Sequence, residues 1–186
     1  MNRFNHYIIE GIDNIGKGTL INKLQNEHGY FHYVHYEKPK TLDMYKEMKN
    51  PEKEYQRESF EEGFKLLCGE SKTIFDRFHL GEVVYSPLYR NYLGDYVYDM
   101  EKTIQANTLF DTVLILLYTT NYGILKDDGK SFNVQNQKKE QSAFIDAWRK
   151  STFQNKIGVN VYNPSTHTFK TPQDIYNEIS YFLTRD

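Results

Sequence analysis

The sequence predicts an α/β fold in which a five-stranded parallel sheet is flanked by helices. Three observations predict it. Short β-type runs alternate with segments of helical spacing along the whole chain, the pattern of a parallel sheet covered on both faces. The most apolar run, Thr112 to Tyr118, has the unbroken hydrophobicity of a strand buried on both sides. A glycine-rich stretch also separates the first strand pattern from the first helical pattern.

In order, His6 to Glu10 is a short β-type run, and Leu20, Ile21 and Leu24 then recur at helical spacing up to a stop near Gly29. A second strand is expected over Tyr30 to Tyr36, closed by Pro39. From Thr41 to Leu67 the spacing of Tyr55, Phe60, Phe64 and Leu67 predicts two helices split near Pro51. Lys72 to Phe75 is the third strand, followed by a helical stretch to about Phe110 and the apolar strand Val113 to Tyr118. Residues 121 to 137 are polar with two glycines and are expected to form a lid-like flap. Ala143, Phe144, Ala147 and Trp148 mark another amphipathic helix, and Lys156 to Tyr162 a fifth strand. Thr171, Pro172 and Asp174 have the order of an N-cap, a first-turn proline and an acidic first turn, so a last helix opens there with Ile175, Ile179, Phe182 and Leu183 on one face. At 186 residues, one domain over 1–186 is the expectation.

Charge narrows the classes. With 23 Lys+Arg against 25 Asp+Glu, the formal charge of −2 speaks against a nucleic-acid partner coated along its length, and basic residues are expected to act locally. The single Cys68 leaves no internal disulfide, which fits a reducing, cytoplasmic setting. No apolar run approaches the roughly 20 residues of a membrane span, so no membrane role is expected. Both a monomer and a homodimer stay open.

Gly11-Ile12-Asp13-Asn14-Ile15-Gly16-Lys17-Gly18-Thr19 matches G-x-x-x-x-G-K between a strand and a helix, the context that gives this phosphate loop, or P-loop, its meaning. Backbone N–H groups at a helix start favour anions, glycine lets the chain wrap phosphate oxygens, and Lys17 adds a full positive charge. Residues 11 and 14 to 19 are thus the candidates for binding ATP, with Lys17 also catalytic. Gly18 stands where Ser or Thr usually contacts Mg²⁺, and a hydroxyl comes one residue later, so Thr19 is a candidate metal contact whose direct ligation stays open.

Asp76-Arg77-Phe78 lies at the carboxyl end of a predicted strand, the edge where open parallel sheets bind ligands. A carboxylate there can organise Mg²⁺-bound water or orient an acceptor, and a planar guanidinium can grip phosphate oxygens with two bonds. Asp76 and Arg77 join Lys17 as catalytic candidates. An isolated Asp-Arg pair is more often a structural ion pair, but its company with a phosphate loop favours function.

These stretches carry a family resemblance. Ile8 to Lys17, with its Glu-Gly-x-Asp lead-in, and Asp76-Arg77-Phe78-His79-Leu80-Gly81-Glu82-Val83-Val84-Tyr85-Ser86 resemble the thymidylate kinases, in which a Ser usually stands where Gly81 stands here. Glu140 to Arg149 is similar to the helix after that family's lid. The resemblance implies a small-molecule nucleotide acceptor, a deoxynucleoside monophosphate such as dTMP, with ATP and Mg²⁺. Asp13 would meet the sugar 3′-hydroxyl, Arg77 the phosphates and Asp76 the magnesium sphere, while Phe78 and Tyr85 would line the pocket and Arg57, Phe60 and Phe64 could meet the base. The family's catalytic arginine, in the phosphate loop or the lid, is missing: Asn14 occupies the loop position, and the lid has Lys126, Lys130, Lys138 and Lys139 with no Arg before Arg149.

Other readings stay open. A deoxynucleoside kinase places a base just after the second strand, about where Glu37 stands, to take the proton of a 5′-hydroxyl. A kinase of nucleic-acid ends or modified bases would need a basic groove, and a non-catalytic nucleotide switch could share the loop. His32 and His35, three apart on a strand, should face opposite sides and form no joint metal site.

Overall fold

The computed structural model describes residues 4–37, 47–104, 108, 111–126 and 133–183. Its main sheet has five parallel strands in the order β2-β3-β1-β4-β5: β1 His6–Glu10, β2 His32–His35, β3 Thr73–Asp76, β4 Thr112–Tyr118 and β5 Lys156–Asn160. Helices α1 Lys17–His28, α2 Pro51–Leu67, α3 His79–Tyr85, α4 Tyr96–Lys102, α5 Val134–Lys150 and α6 Pro172–Leu183 cover it. The core is Tyr7, Ile8 and Ile9 of β1, Ile74 and Phe75 of β3 and Val113 to Leu117 of β4, all buried, as expected of strands with helices on both sides. No helix among the described residues is long and apolar enough to cross a membrane.

Register decides what the sheet presents. Ile9 pairs with Asp76, and the Arg77 amide donates to the Ile9 carbonyl at 3.0 Å, so the phosphate loop and the Asp76-Arg77 pair leave the same sheet edge side by side. Glu10 reinforces this: its Oε1 accepts from the amides of Phe78 at 3.0 Å and Leu80 at 3.1 Å, capping α3 from the end of β1.

Several boundaries differ from expectation. β2 is four residues rather than seven. Of the two helices expected before β3, the second is α2, and 38–46 of the first lie outside the described residues. The helical stretch after Asp76 is broken into α3, a π-helical turn Ser86–Arg90 and α4, with Asn91 left-handed between them (φ 58°). α5 starts inside the expected flap, because Asn133 Oδ1 accepts from the amides of Gln135 and Asn136 at 2.9 and 3.2 Å. β5 stops at Asn160, where a hairpin of β6 Tyr162–Asn163 and β7 Thr168–Phe169 begins. The expected start of α6 is borne out: Thr171 Oγ1 donates to Asp174 Oδ2 at 2.7 Å and accepts from the Asp174 amide at 3.1 Å.

α2 approaches the sheet through Gly63. A β-carbon there would lie 2.2 Å from the Tyr36 hydroxyl and 2.5 Å from the Phe78 ring. Gly63→Ala is therefore expected to cost about 1–3 kcal/mol by overpacking, read as a lower urea midpoint with an unchanged slope.

Candidate active site

The phosphate loop is built on two left-handed glycines. Gly11 (φ 138°) leaves room for a backbone approach, since a β-carbon would sit 2.5 Å from the Leu117 carbonyl oxygen; Gly16 (φ 94°) turns the chain into α1. The Lys17 ammonium donates to the carbonyls of Gly11 at 2.8 Å and Ile12 at 2.7 Å, so the loop closes around its own lysine. Burial, and then the Arg77 guanidinium, hold the Lys17 ammonium down to about 8. Residues 14 to 19, Asp76 and Arg77 line a cavity of about 440 Å³ with Lys126 and Phe169.

Arg77 is held in a left-handed conformation (φ 65°), uncommon for a side chain of its size, and its guanidinium pairs with Asp13 at 2.5 Å. Asp76 lies next to it. Its Oδ2 accepts from the Tyr33 hydroxyl at 2.9 Å and contacts His35 Nδ1 at 3.0 Å, while its Oδ1 is buried with no hydrogen-bond partner among the described residues. Asp76 lines one cavity with Thr19, and a carboxylate beside a hydroxyl there suits a hard cation such as Mg²⁺ or its bound water.

A second cavity of about 500 Å³ opens on the other side of Arg77. Tyr36, Phe60, Phe78 and Tyr85 give it aromatic walls, and Gln56 and Gly81 also line it. Phe60 and Phe78 meet edge to face at 5.6 Å, and burial pushes the Tyr85 hydroxyl far above its ordinary range. Its charged lining is acidic: Asp13, Glu37, Glu52, Glu82 and Glu140 against Arg77 and Arg90. Both guanidiniums are already matched, Arg77 to Asp13 and Arg90 to Glu82 at 2.6 Å. Glu140 accepts from the Tyr89 hydroxyl, and burial raises its carboxyl above the usual range.

Solved structures share this architecture. The YorR protein of Bacillus subtilis, in complex with phosphorylated GDP, matches with a TM-score of 0.56 at 14% identity over 96% of this chain and 95% of its own. The deoxyadenosine kinase of M. mycoides with bound dCTP matches with a TM-score of 0.53 at 16% identity over 95% and 99%. The fold is that of the P-loop kinases. Polyphosphate kinase 2 of Arthrobacter aurescens TC1 shares it too, with a TM-score of 0.52 at 14% identity over 96% of this chain and 65% of that one. No protein-family model matches the chain, and no curated protein matches it.

Within this P-loop kinase fold, the candidate residues fall into three groups. Residues 14 to 19, Asp76 and Arg77 line the phosphate cavity, with Gly11 beneath it. Asp13, Glu37, Phe60, Arg77, Phe78 and Tyr85 line the second cavity. Arg57 is a correction: it pairs with Glu61 on the outer side of α2, in a groove towards α4. Phe64 packs on the Phe78 and His79 rings. Of the lid lysines, Lys126 lines the phosphate cavity, Lys138 lies over the Tyr122 ring, Lys139 is exposed and Lys130 lies outside the described residues. Sequence reasoning missed Gln56, which the helical phase of Phe60 and Phe64 points to, and Phe169, whose two-residue strand carries no periodic signal.

Proposed function

We propose that the protein is an ATP-dependent kinase that phosphorylates the 5′-hydroxyl of a deoxynucleoside. The observation that carries this reading is the charge of the second cavity, where five carboxylates face two guanidiniums that already have carboxylate partners. A monophosphate brings close to two negative charges, and like charges in a partly desolvated site repel by kilocalories. A neutral nucleoside meets no such barrier. The likeness of the fold to a deoxyadenosine kinase of M. mycoides supports this reading. The monophosphate reading suggested by the motif resemblance keeps one support, Arg77, which lines both cavities.

In this reading the base lies among Phe60, Phe78 and Tyr85, with the Gln56 amide able both to donate to and to accept from its edge. Glu37 takes the hydroxyl proton as the 5′-oxygen attacks the γ-phosphorus, and the bond to the ADP oxygen breaks. Lys17 and Arg77 stabilise the charge on the transferring group. Asp76 and Thr19 would hold Mg²⁺, which supplies charge neutralisation at the phosphates.

Phe169 offers its ring to the base of the phosphoryl donor. Phe169→Ala is expected to weaken ATP binding by about 1–3 kcal/mol, the scale of a lost base–aromatic stack, with little change in acceptor KM. Titration with a fluorescent ATP analogue checks it.

The test of the function is an acceptor screen that follows ADP release with ATP and Mg²⁺ for the four deoxynucleosides and their monophosphates. A deoxynucleoside should give the highest kcat/KM. Turnover only with monophosphates would overturn the reading.

A further inference from the structure

Among the described residues Asp76 is the one carboxylate that lines the phosphate cavity, and β2 restrains it in a way the phosphoryl-transfer scheme does not require. β2 is an edge strand, paired to β3 with His35 opposite Asp76 and Tyr33 opposite Ile74. Positions two apart on a strand share a face, so Tyr33 and His35 stand together beside Asp76, their rings nearly parallel at 6.4 Å with 16° between planes. Both polar tips converge on one oxygen, Oδ2, at 2.9 and 3.0 Å. Tyr33 is 48% exposed, yet its hydroxyl is turned inward to a nearly buried carboxylate rather than outward to water.

Two cations compete for that carboxylate. Asp76 lies within electrostatic reach of the Lys17 ammonium, and Arg77 is its neighbour in sequence and in the cavity. An untethered aspartate can swing onto either, neutralising a charge needed for phosphate and removing its own oxygen from a metal. The Tyr33 hydroxyl and His35 Nδ1, both on Oδ2, oppose that motion, and Oδ1 has no partner among the described residues.

We infer that Tyr33 and His35 are positioning residues that fix the Asp76 carboxylate in the orientation in which it serves the divalent cation of the nucleotide complex. The inference rests on the proposed kinase reading only in taking Asp76 to serve a nucleotide-bound cation; it is independent of the acceptor. Groups that orient a metal-ligating or water-holding carboxylate are typically worth 10- to 100-fold in metal affinity.

The experiment measures Mn²⁺ binding to the protein–ADP complex by electron paramagnetic resonance, for wild type, Tyr33→Phe, His35→Val, the double variant and Asp76→Asn. Near-ultraviolet circular dichroism confirms that each is folded. Each single variant should bind Mn²⁺ roughly 10-fold more weakly, and the double should approach Asp76→Asn. His35→Asn supplies the rescue, because its side-chain amide nitrogen sits the same number of bonds from the backbone as Nδ1 and can donate to Oδ2; it should bind Mn²⁺ within about two-fold of wild type. A double variant that binds Mn²⁺ like wild type while Asp76→Asn does not would overturn the positioning role and leave the kinase reading intact. If Asp76→Asn itself binds like wild type, the positioning role and the assignment of Asp76 both fail. Failure of every nucleoside in the acceptor screen would refute the acceptor class without touching the Mn²⁺ result.

Discussion

Lys17→Ala should lower kcat by roughly 10³-fold or more while the protein stays folded, because its charge acts where the transferring group is most negative. The side chain is buried and, among the described residues, its hydrogen bonds are to two carbonyls of its own loop. Removing it takes away a desolvated cation rather than a packing residue, so thermal stability should hold or rise. Titration adds a second signature. Burial and Arg77 hold the free ammonium to about 8, so near that pH it is partly neutral. Phosphate favours the charged form, so nucleotide binding should take up a proton, and ATP affinity should fall as pH rises through 8. Calorimetry in buffers of different ionisation enthalpy reads the uptake directly, and the Ala variant should lose it. Turnover within a few-fold of wild type would mean that the loop is not the phosphate site.

Glu37→Gln is expected to cut turnover of a deoxynucleoside by roughly 10²- to 10⁴-fold, the usual contribution of a general base, with a smaller change in KM. The amide keeps the shape of the side chain but cannot take the 5′-hydroxyl proton. A monophosphate acceptor needs no such base, since its own oxygen is already anionic. Under that alternative, Glu37→Gln leaves dTMP phosphorylation nearly unchanged, while Arg77→Ala weakens dTMP binding by roughly 1.5–3 kcal/mol, the scale of a lost charge-assisted hydrogen bond. Steady-state kinetics of the two variants with both acceptors therefore separate the readings.

What the sequence made legible was local. The strand–loop–helix of residues 6 to 28, the Asp76-Arg77 edge, the apolar β4 and the cap at Thr171 all depend on neighbours within a few positions, where spacing and residue type suffice. Arg57 was misplaced because one residue along a helix is a rotation of about 100°, enough to move a side chain from pocket to solvent. Gln56, four before Phe60, holds the inward phase. The acidic character of the second cavity was hidden for a different reason. Its carboxylates come from the phosphate loop, the end of β2, α2, α3 and α5, and only the tertiary fold brings them together. The whole-chain charge of −2 hides that local excess.

Among the described residues, Arg77 alone lines both cavities, and it reaches them from a left-handed backbone position that holds it on the ridge between them. The two halves of the site can thus be addressed by separate chemical fragments. On the proposed reading, a bisubstrate inhibitor, with a nucleoside joined to adenosine through a chain of phosphates, would have to thread its linker across this one guanidinium. A linker of matching length would turn the second contact into an intramolecular event and gain potency well beyond either fragment, whereas one too short would strand one end outside its cavity. On the proposed reading, Gly81, Gln56 and their neighbours can be varied to retune acceptor choice without rebuilding the grip on the donor.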